Sequence, residues 1–588
     1  MKAITTFVSG LLLSAVLLLP FSVRAADLQP FFSLKISSVN TLISVAEKIS
    51  TMAGFSDNAA FREIVTSVKD IRGINPDSII GVAADVSSDN ISLMLLLPIT
   101  DLSKVEIPGR PDIFDAIQPF LTKKGNNFVI NSPLGTYFAA QKKDYLVITP
   151  EDVADQVPAD AKKLFADLEK YTIGFKIDLE KIDFETIEGR IFGPFQLIMA
   201  MQAPDAAESI DSIIEMYRVL YKEFRVIIAG IAFDPQTADV EYSGTAFLRK
   251  GSEMMAGYKR QPTMFSGFKG IPENVVFSIG ESATQLHPSP YLNKAMEPSL
   301  KQYEILLSAA LEQINEDDET GESGELAKKV FDSIQKIVEL ETQKKSNDFA
   351  GSLTTDGTLL FATTTNALEE LRKLVSLAVD FVSQKLADVA DDFDVVKALM
   401  KKNLQRNYVT VEGFKVSSFR FSIADMPIAS LMTDGDFDAL NDLTLGVLWA
   451  VKEGNSQAIA AAAGLDFAKT EQTFKSALEK TKTSVQVQPP IGMFSVQGLG
   501  KLLQKTIQPL IVKAGTPESD LATFKKVVDI CVSAGSDATV TLNTDIQPDR
   551  MSGGYYISGK AIQAVISAVK LATEAAENPF NRSAVQDF

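Results

Sequence analysis

The sequence predicts an α+β fold of repeated strand–helix–hairpin units, forming largely antiparallel sheets backed by long amphipathic helices. Three observations predict it. Four stretches share one order of elements: a short apolar strand, a long helical region, and two strands joined by a tight polar turn. Within each stretch the apolar spacing switches from every second residue to every third or fourth, the periods of a strand and of a helix. Tight turns also stand where a parallel sheet needs crossover helices, which argues against strict βαβ winding.

The first stretch opens with Phe32, Leu34 and Ile36 at alternate positions, runs through helices near 39–53 and 58–71, and closes as a hairpin from Ile79 to Leu97 around Ser87 to Asn90. The second is the plainest. Tyr171, Ile173, Phe175 and Ile177 alternate with polar or small residues, as a half-buried strand requires. Pro204 and Asp205 then open a helix in which Ile210, Ile213, Ile214, Tyr217, Leu220, Tyr221 and Phe224 recur at three- and four-residue steps, so that face is predicted to be core. Val226–Phe233 and Val240–Leu248 flank the turn Asp234, Pro235, Gln236, Thr237 and predict a hairpin.

The third stretch begins at Val275–Ile279, passes through helices near 292–342 and returns as Asp348–Thr364 around Asp356 and Gly357. Residues 366–404 read as the longest helix, with Leu368, Leu371, Val375, Ala378, Val382 and Val389 on one stripe. Residues 408–463 add two hairpins, turning at Glu412–Gly413 and at Gly454–Asn455. The last stretch starts at Ile491–Val496, continues through helices to about Asp529 and closes with Val540–Leu542 and Tyr555–Ser558.

Pro262, Gly267, Gly270 and Pro272 interrupt the pattern near 263–272, and Gln488–Pro490 mark a second break. The expected organisation is a signal peptide at 1–25, an N-terminal α+β domain at 26–266 holding two units, and a C-terminal α+β domain at 267–588 holding two or more, with a sub-boundary near 488. The signal rests on Lys2, an uncharged apolar core from Phe7 to Leu19, and Val23 and Ala25 at the positions where small residues direct cleavage. Cleavage after Ala25 predicts a periplasmic or secreted protein; the competing reading is an uncleaved anchor. Cys531 is the sole cysteine, so a lipid-bearing cysteine at the cleavage point and an intrachain disulfide are both excluded. Charged residues interrupt every later apolar run, and no integral span is expected after cleavage.

The formal net charge is −18, and removing Lys2 and Arg24 makes it −20. Such a surface repels nucleic acid and anionic lipid. It also keeps soluble chains apart, which accounts for the charge without a special role.

The run Leu97, Pro98, Ile99, Thr100, Asp101, Leu102 and the run Pro133, Leu134, Gly135, Thr136, Tyr137, Phe138, Ala139 carry a resemblance, as do Val157, Pro158 and Ala159 ahead of the strand at Tyr171. Gly230, Phe233 and Asp234, with Val240, Gly244 and Phe247, belong to the same set. Across residues 30–270 the chain resembles a family of secreted, uncharacterised proteins of planctomycete-type bacteria. The resemblance implies an exported envelope protein and transfers no catalytic residue.

Chemistry is restricted by a single histidine, His287, set between Leu286 and Pro288. A serine or cysteine triad needs a base poised near neutral pH, and no Gly-x-Ser-x-Gly elbow exists to partner this one. Zinc, copper and haem sites lose nearly all their ligands by the same count. No catalytic residue and no cofactor is assigned. Oxygen-ligand sites survive, and Asp434, Asp436 and Asp438 have the alternate spacing that starts a calcium loop. Ala439 stands where that loop needs glycine and Leu445 where it needs a bidentate Glu, so a solvated loop explains the three acids as well. Glu316, Asp317, Asp318, Glu319, Glu322 and Glu325 form an acidic patch that reads as a loop between helices. Gly498 and Gly500 precede Lys501, but Ser495 replaces the first glycine of a phosphate loop, and Ser567 with Lys570 is a spacing too common to count.

Trp449, in the series Leu445, Val447, Trp449, Val451, reads as the inward face of a strand. The chain has 36 Phe against 12 Tyr and one Trp, a supply of purely apolar lining that serves an apolar-ligand groove or several ordinary cores. The expected function is an exported, non-enzymatic envelope protein that binds or scaffolds, its partner an apolar small molecule or an envelope protein. The alternatives are a hydrolase using carboxylates or a divalent ion, marked by a concave cluster of two or three acids, and a purely structural repeat protein, marked by a flat apolar patch.

Overall fold

A computed structural model of the chain describes residues 30–52, 54, 59–87, 90–105, 121–124, 127–132, 135–142, 145–149, 157, 161–189, 214, 217–218, 221–252, 258–284, 322–344, 346–374, 376–377, 402–422, 444–454, 457–486, 490–513 and 516–577. The strands are β1 (Phe32–Ile36), β2 (Ile80–Ser87), β3 (Asn90–Leu97), β4 (Leu121–Lys124), β5 (Asn127–Ser132), β6 (Gly135–Gln141), β7 (Leu146–Thr149), β8 (Ile173–Asp178), β9 (Phe224–Phe233), β10 (Val240–Leu248), β11 (Lys259–Arg260) and β12 (Pro262–Thr263). They continue as β13 (Val275–Thr284), β14 (Ser346–Thr354), β15 (Leu359–Thr364), β16 (Leu404–Val411), β17 (Phe414–Ser422), β18 (Thr444–Lys452), β19 (Ala458–Gly464), β20 (Val485–Gln486), β21 (Gly492–Ser495), β22 (Thr539–Gln547) and β23 (Arg550–Ile557). Helices accompany antiparallel sheets, an α+β architecture.

The chain divides into two compact units. Unit 1 comprises residues 1–207, 220–252 and 549–559, and unit 2 comprises residues 208–219, 253–548 and 560–588. A strand from far along the chain therefore completes unit 1: β23 pairs antiparallel with β10, from Val240 opposite Ile557 to Phe247 opposite Arg550. Asp239 fastens its end, accepting hydrogen bonds from the Tyr556 hydroxyl at 2.6 Å and the Gly559 N–H at 2.7 Å. Burial pushes the Asp239 carboxyl up, but those bonds and the Thr237 hydroxyl outweigh it and hold the pKa below the ordinary range.

In unit 1, β1 lies between β2 and β8. On one side β2 pairs with β3 and β3 with β7, the last strand of the meander β4–β5–β6–β7. On the other side β8 pairs with β9 and β9 with β10. In unit 2, β13 lies between β14 and β21. Here β14 pairs with β15 and β15 with β19, the last strand of the meander β16–β17–β18–β19, while β21 pairs with β22. Nine strands of each unit thus follow the same pairing scheme.

Local sequence sets the turns. Asp234 Oδ1 accepts the Gln236 N–H at 2.7 Å and reverses the chain between β9 and β10. Glu412 and Gly413 both take positive φ, 47° and 83°, the geometry that joins β16 to β17 in two residues.

The core of unit 1 gathers Ala83, Met94, Leu96, Val147, Phe165, Leu168 and Tyr171 on one face of the sheet. Phe165 comes from a 3₁₀ segment, Ala161–Leu168, and its ring fills the space over Gly81, where a Cβ would lie 2.3 Å from the ring carbon. In unit 2 the covering helix is α1 (Phe467–Glu479), capped by the Asp466 carboxylate, which accepts the Lys469 N–H. Its Phe474, Ala477 and Leu478 bury against Ala458, Ala460 and Ala462 of β19 and against Leu448 and Ala450 of β18. Small alanines on the strand admit the helix closely, and full burial of Phe474 contributes roughly 1.5–3 kcal/mol.

Two readings of the sequence are corrected here. The inward face of β18 carries Gly446, Leu448 and Ala450, the latter two fully buried, whereas Val447 is 43% exposed and Trp449 lies on its side of the strand, half-buried. Both alternations of β18 are apolar, so the pattern alone could not name the covered face; the Phe467 ring resting on Gly446 decides it. In the helix predicted from Pro204, Ile214 is buried as expected, but Tyr217 is 45% exposed and Phe224 is the first residue of β9. Most of that helix, and residues 378–401 of the predicted longest one, lie outside the described residues.

On the opposite face of unit 1 a row of apolar side chains runs across the strands: Ile173 opposite Ile231, Ile231 opposite Tyr242, and Tyr242 opposite Tyr555. All four are exposed, between 40% and 50%.

Candidate functional site

A cavity of about 290 Å³ lies within unit 2. Its floor is sheet. Gly280 of β13 stands opposite Ala350 of β14, and Ser278 stands between Ser352 and Met493 of β21. Residues this small leave volume above the strands that larger ones would fill; even a Cβ at Gly280 would press to 3.2 Å from Ala350 Cβ and Phe349 O.

The wall is the segment predicted as a domain break. β12 pairs with β20, Pro262 opposite Gln486 and Thr263 opposite Val485. The wall then passes through a 3₁₀ turn at Ser266–Phe268 to Lys269 and Gly270, whose φ of 68° only glycine takes readily. Asp348, 6% exposed, anchors it by accepting hydrogen bonds from the Thr263 hydroxyl and from the Met264 N–H at 3.0 Å. Burial pushes the Asp348 carboxyl up, against the opposing pull of those two donors and of Lys344. The Thr263 hydroxyl in turn accepts the Phe265 N–H at 2.9 Å, and the Ser352 hydroxyl donates to Phe268 O at 2.7 Å. Phe265 and Phe474 both meet Phe268 edge-on, with centroids 6.0 Å apart.

Phe265, Val485, Pro490 and Met493 give the cavity an apolar lining, and among the described lining residues Lys269 is the one ionisable side chain. Lys269 Nζ donates to Pro490 O at 2.7 Å, and burial holds its pKa below the ordinary lysine value. With Val485 48% exposed, the lining reaches the surface. Among the described residues, no carboxylate or imidazole lines the cavity, and the Thr263 hydroxyl is engaged with Asp348. The arrangement can hold an apolar group beside a cation. It does not place a base against a nucleophile.

The residues singled out in the sequence fare differently. Asp434, Asp436 and Asp438 lie outside the described residues, as do His287 and Glu316–Glu319. Glu325, read as part of a loop between helices, stands instead on the helix Glu322–Thr342, exposed and 3.6 Å from Lys329. Among the described residues, no group of three His, Cys, Asp or Glu side chains could hold a metal ion. Ser495 caps the short helix Val496–Leu502 by accepting the Gly498 N–H at 2.9 Å. A Cβ at Gly498 would lie 2.1 Å from Val275 O and one at Gly500 2.7 Å from Val532 N, so these glycines serve close packing. Cys531 is buried, and burial raises its thiol pKa, the opposite of an activated nucleophile. No described helix is long and apolar enough to cross a membrane. Sequence reasoning missed Lys269, Asp348 and the floor. The one available signal was a lysine set just after Phe265 and Phe268, and that combination is common on ordinary surfaces.

Comparison with known proteins adds nothing to this geometry: no family model, no curated protein and no solved structure matches the chain.

Proposed function

We propose that the chain is an exported, non-enzymatic binding protein of the cell envelope, periplasmic or secreted, of the planctomycete-type family its N-terminal motifs resemble. Its ligand is a small apolar molecule carried in the unit 2 cavity. The observation that supports this is the apolar lining over a floor of Ser278, Gly280 and Ala350, at a volume close to the lower end of small-ligand sites, roughly 300 Å³. The hydrolase alternative gains no support from a cavity lined by no carboxylate among the described residues.

The matching pairing schemes favour the strand–helix–hairpin repeat read from the sequence, with two such repeats and one meander in unit 1, and in unit 2 one meander and two repeats of which the last gives its closing strand, β23, to unit 1. Amphipathic helices backing those sheets belong to the same proposal.

The test is uptake of the neutral fluorophore N-phenyl-1-naphthylamine, with native mass spectrometry and lipid extraction of the purified protein. Saturable fluorescence enhancement is expected, and Gly280→Leu is expected to abolish it while circular dichroism stays unchanged. Absence of uptake in a protein purified free of lipid overturns the reading.

The exposed row Ile173, Ile231, Tyr242 and Tyr555 favours a second reading, a scaffold that associates through this face. Sedimentation velocity of Tyr242→Lys against wild type decides it, since a scaffold loses its association and a carrier shows no change.

A further inference from the structure

We propose that the molecule carried in the unit 2 cavity is an alcohol, an apolar body whose hydroxyl hydrogen-bonds the Ser278 hydroxyl on the cavity floor. This rests on the reading of the cavity as an apolar-ligand site and names the group that orients the ligand there.

Strand register sets Ser278 into the floor. Alternation along β13 puts Ser278, Gly280 and Ser282 on one face, while Phe277 stands 42% exposed on the other. The wall segment crosses the first of these faces. Under it the Ser282 hydroxyl donates to Pro262 O at 3.4 Å, and the hydroxyl of Ser352, directly opposite Ser278, donates to Phe268 O at 2.7 Å. Ser278 is as buried as Ser282, 3% exposed, and lines the cavity. Of the three hydroxyls, that of Ser278 is the one with no partner among the described residues. Where the wall supplies a carbonyl to its neighbours, Ser278 borders open volume.

A hydroxyl buried without a partner costs free energy, and a polar group brought in by a ligand reverses that loss. The serine offers one proton and two lone pairs, so a ligand hydroxyl meets it as donor or as acceptor. Phe265, Pro490 and Met493 face the rest of the ligand with no polar side chain, which makes the remainder of the molecule apolar. A pure hydrocarbon would seal the Ser278 hydroxyl from water and leave it unpaired, the means by which a site built around a polar group rejects an analogue lacking its counterpart.

The test compares 2-naphthalenemethanol with 2-ethylnaphthalene, alike in shape and differing by a hydroxyl in place of a methyl, as competitors of N-phenyl-1-naphthylamine. In a cavity that offers the hydroxyl nothing, the hydrocarbon binds about 10-fold more tightly, because the alcohol gives up its bonds to water. Wild type is expected to bind the alcohol at least as tightly as the hydrocarbon. Ser278→Ala is expected to weaken the alcohol about 5- to 30-fold and to leave the hydrocarbon unchanged or tighter. Loss of a merely structural serine would weaken both compounds alike.

Tighter binding of the hydrocarbon by wild type overturns the alcohol while leaving the apolar site standing, and so does a folded Ser278→Ala that keeps the wild-type ratio of the two affinities. If N-phenyl-1-naphthylamine binds and neither compound displaces it, this inference falls alone. If N-phenyl-1-naphthylamine is not taken up, the apolar site falls and this inference falls with it. Circular dichroism reports whether Ser278→Ala folds. If it does not, the wild-type comparison of alcohol with hydrocarbon decides.

Discussion

Lys35 in unit 1 and Lys269 in unit 2 are both pulled below the ordinary lysine pKa by burial, and their surroundings use the charge differently. Lys35, 7% exposed on β1, donates to three backbone carbonyls: Leu168 and Glu169 at 3.1 Å and Tyr171 at 2.9 Å. Those carbonyls end the 3₁₀ segment and lead into β8, so the ammonium ties that helix end to β1, beside the bonds that Leu168 O accepts from the Tyr171 N–H and Tyr171 O from the Ser37 hydroxyl. Lys269 donates to Pro490 O and borders a cavity. The contrast teaches that a buried lysine is not a site by itself. What distinguishes Lys269 is the volume beside it, set by the glycine and alanine of the floor.

The largest effect that sharpens this contrast is expected at Lys35. Lys35→Met keeps the apolar stem but removes the donors, and is expected to cost roughly 3 kcal/mol or more in urea unfolding. A loss within about 1 kcal/mol would break the assignment of Lys35 as a structural clamp. Next come the glycines. Gly81→Ala drives a methyl into the Phe165 ring and is expected to destabilise by about 1–3 kcal/mol, whereas Gly280→Ala meets its neighbours at 3.2 Å and should cost less than about 1 kcal/mol. Equal costs at the two positions would mean the cavity floor is packed as tightly as the unit 1 core.

The smallest effect is a pH dependence at Asp348. A carboxyl raised above its ordinary 3.8 takes up its proton in the folded state first, so from its folded value down to 3.8 stability rises as pH falls. Asp348→Asn has no such proton. Wild type is expected to gain in Tm on the variant as the pH is lowered from 7 towards 4, and a constant gap would remove Asp348 from the account.

The parts of the fold that were legible are those written locally. Alternation at Phe32–Ile36 and Tyr171–Ile177, and the turns at Asp234–Thr237, Asp356–Gly357 and Glu412–Gly413, located strands and hairpins because a turn residue acts on its own backbone. The meander strands β4–β7 were read only as the motif Pro133–Ala139, since short strands between brief turns carry little periodic signal. Trp449 shows a second limit. A strand apolar on both faces gives alternation no sign, and only the helix that covers one face supplies it.

The candidate site was less legible still. Pro262, Gly267, Gly270 and Pro272 marked a break in the pattern, and the structure folds that break into the cavity wall. By itself the sequence determined the α+β class, the largely antiparallel pairing and the poverty in histidine and cysteine, because these follow from composition and from neighbours a few residues apart. Only the tertiary structure decided that Gly280, Ala350 and Met493 share a floor beneath Lys269. Strand register between distant segments sets that arrangement, and register depends on the packing of whole faces.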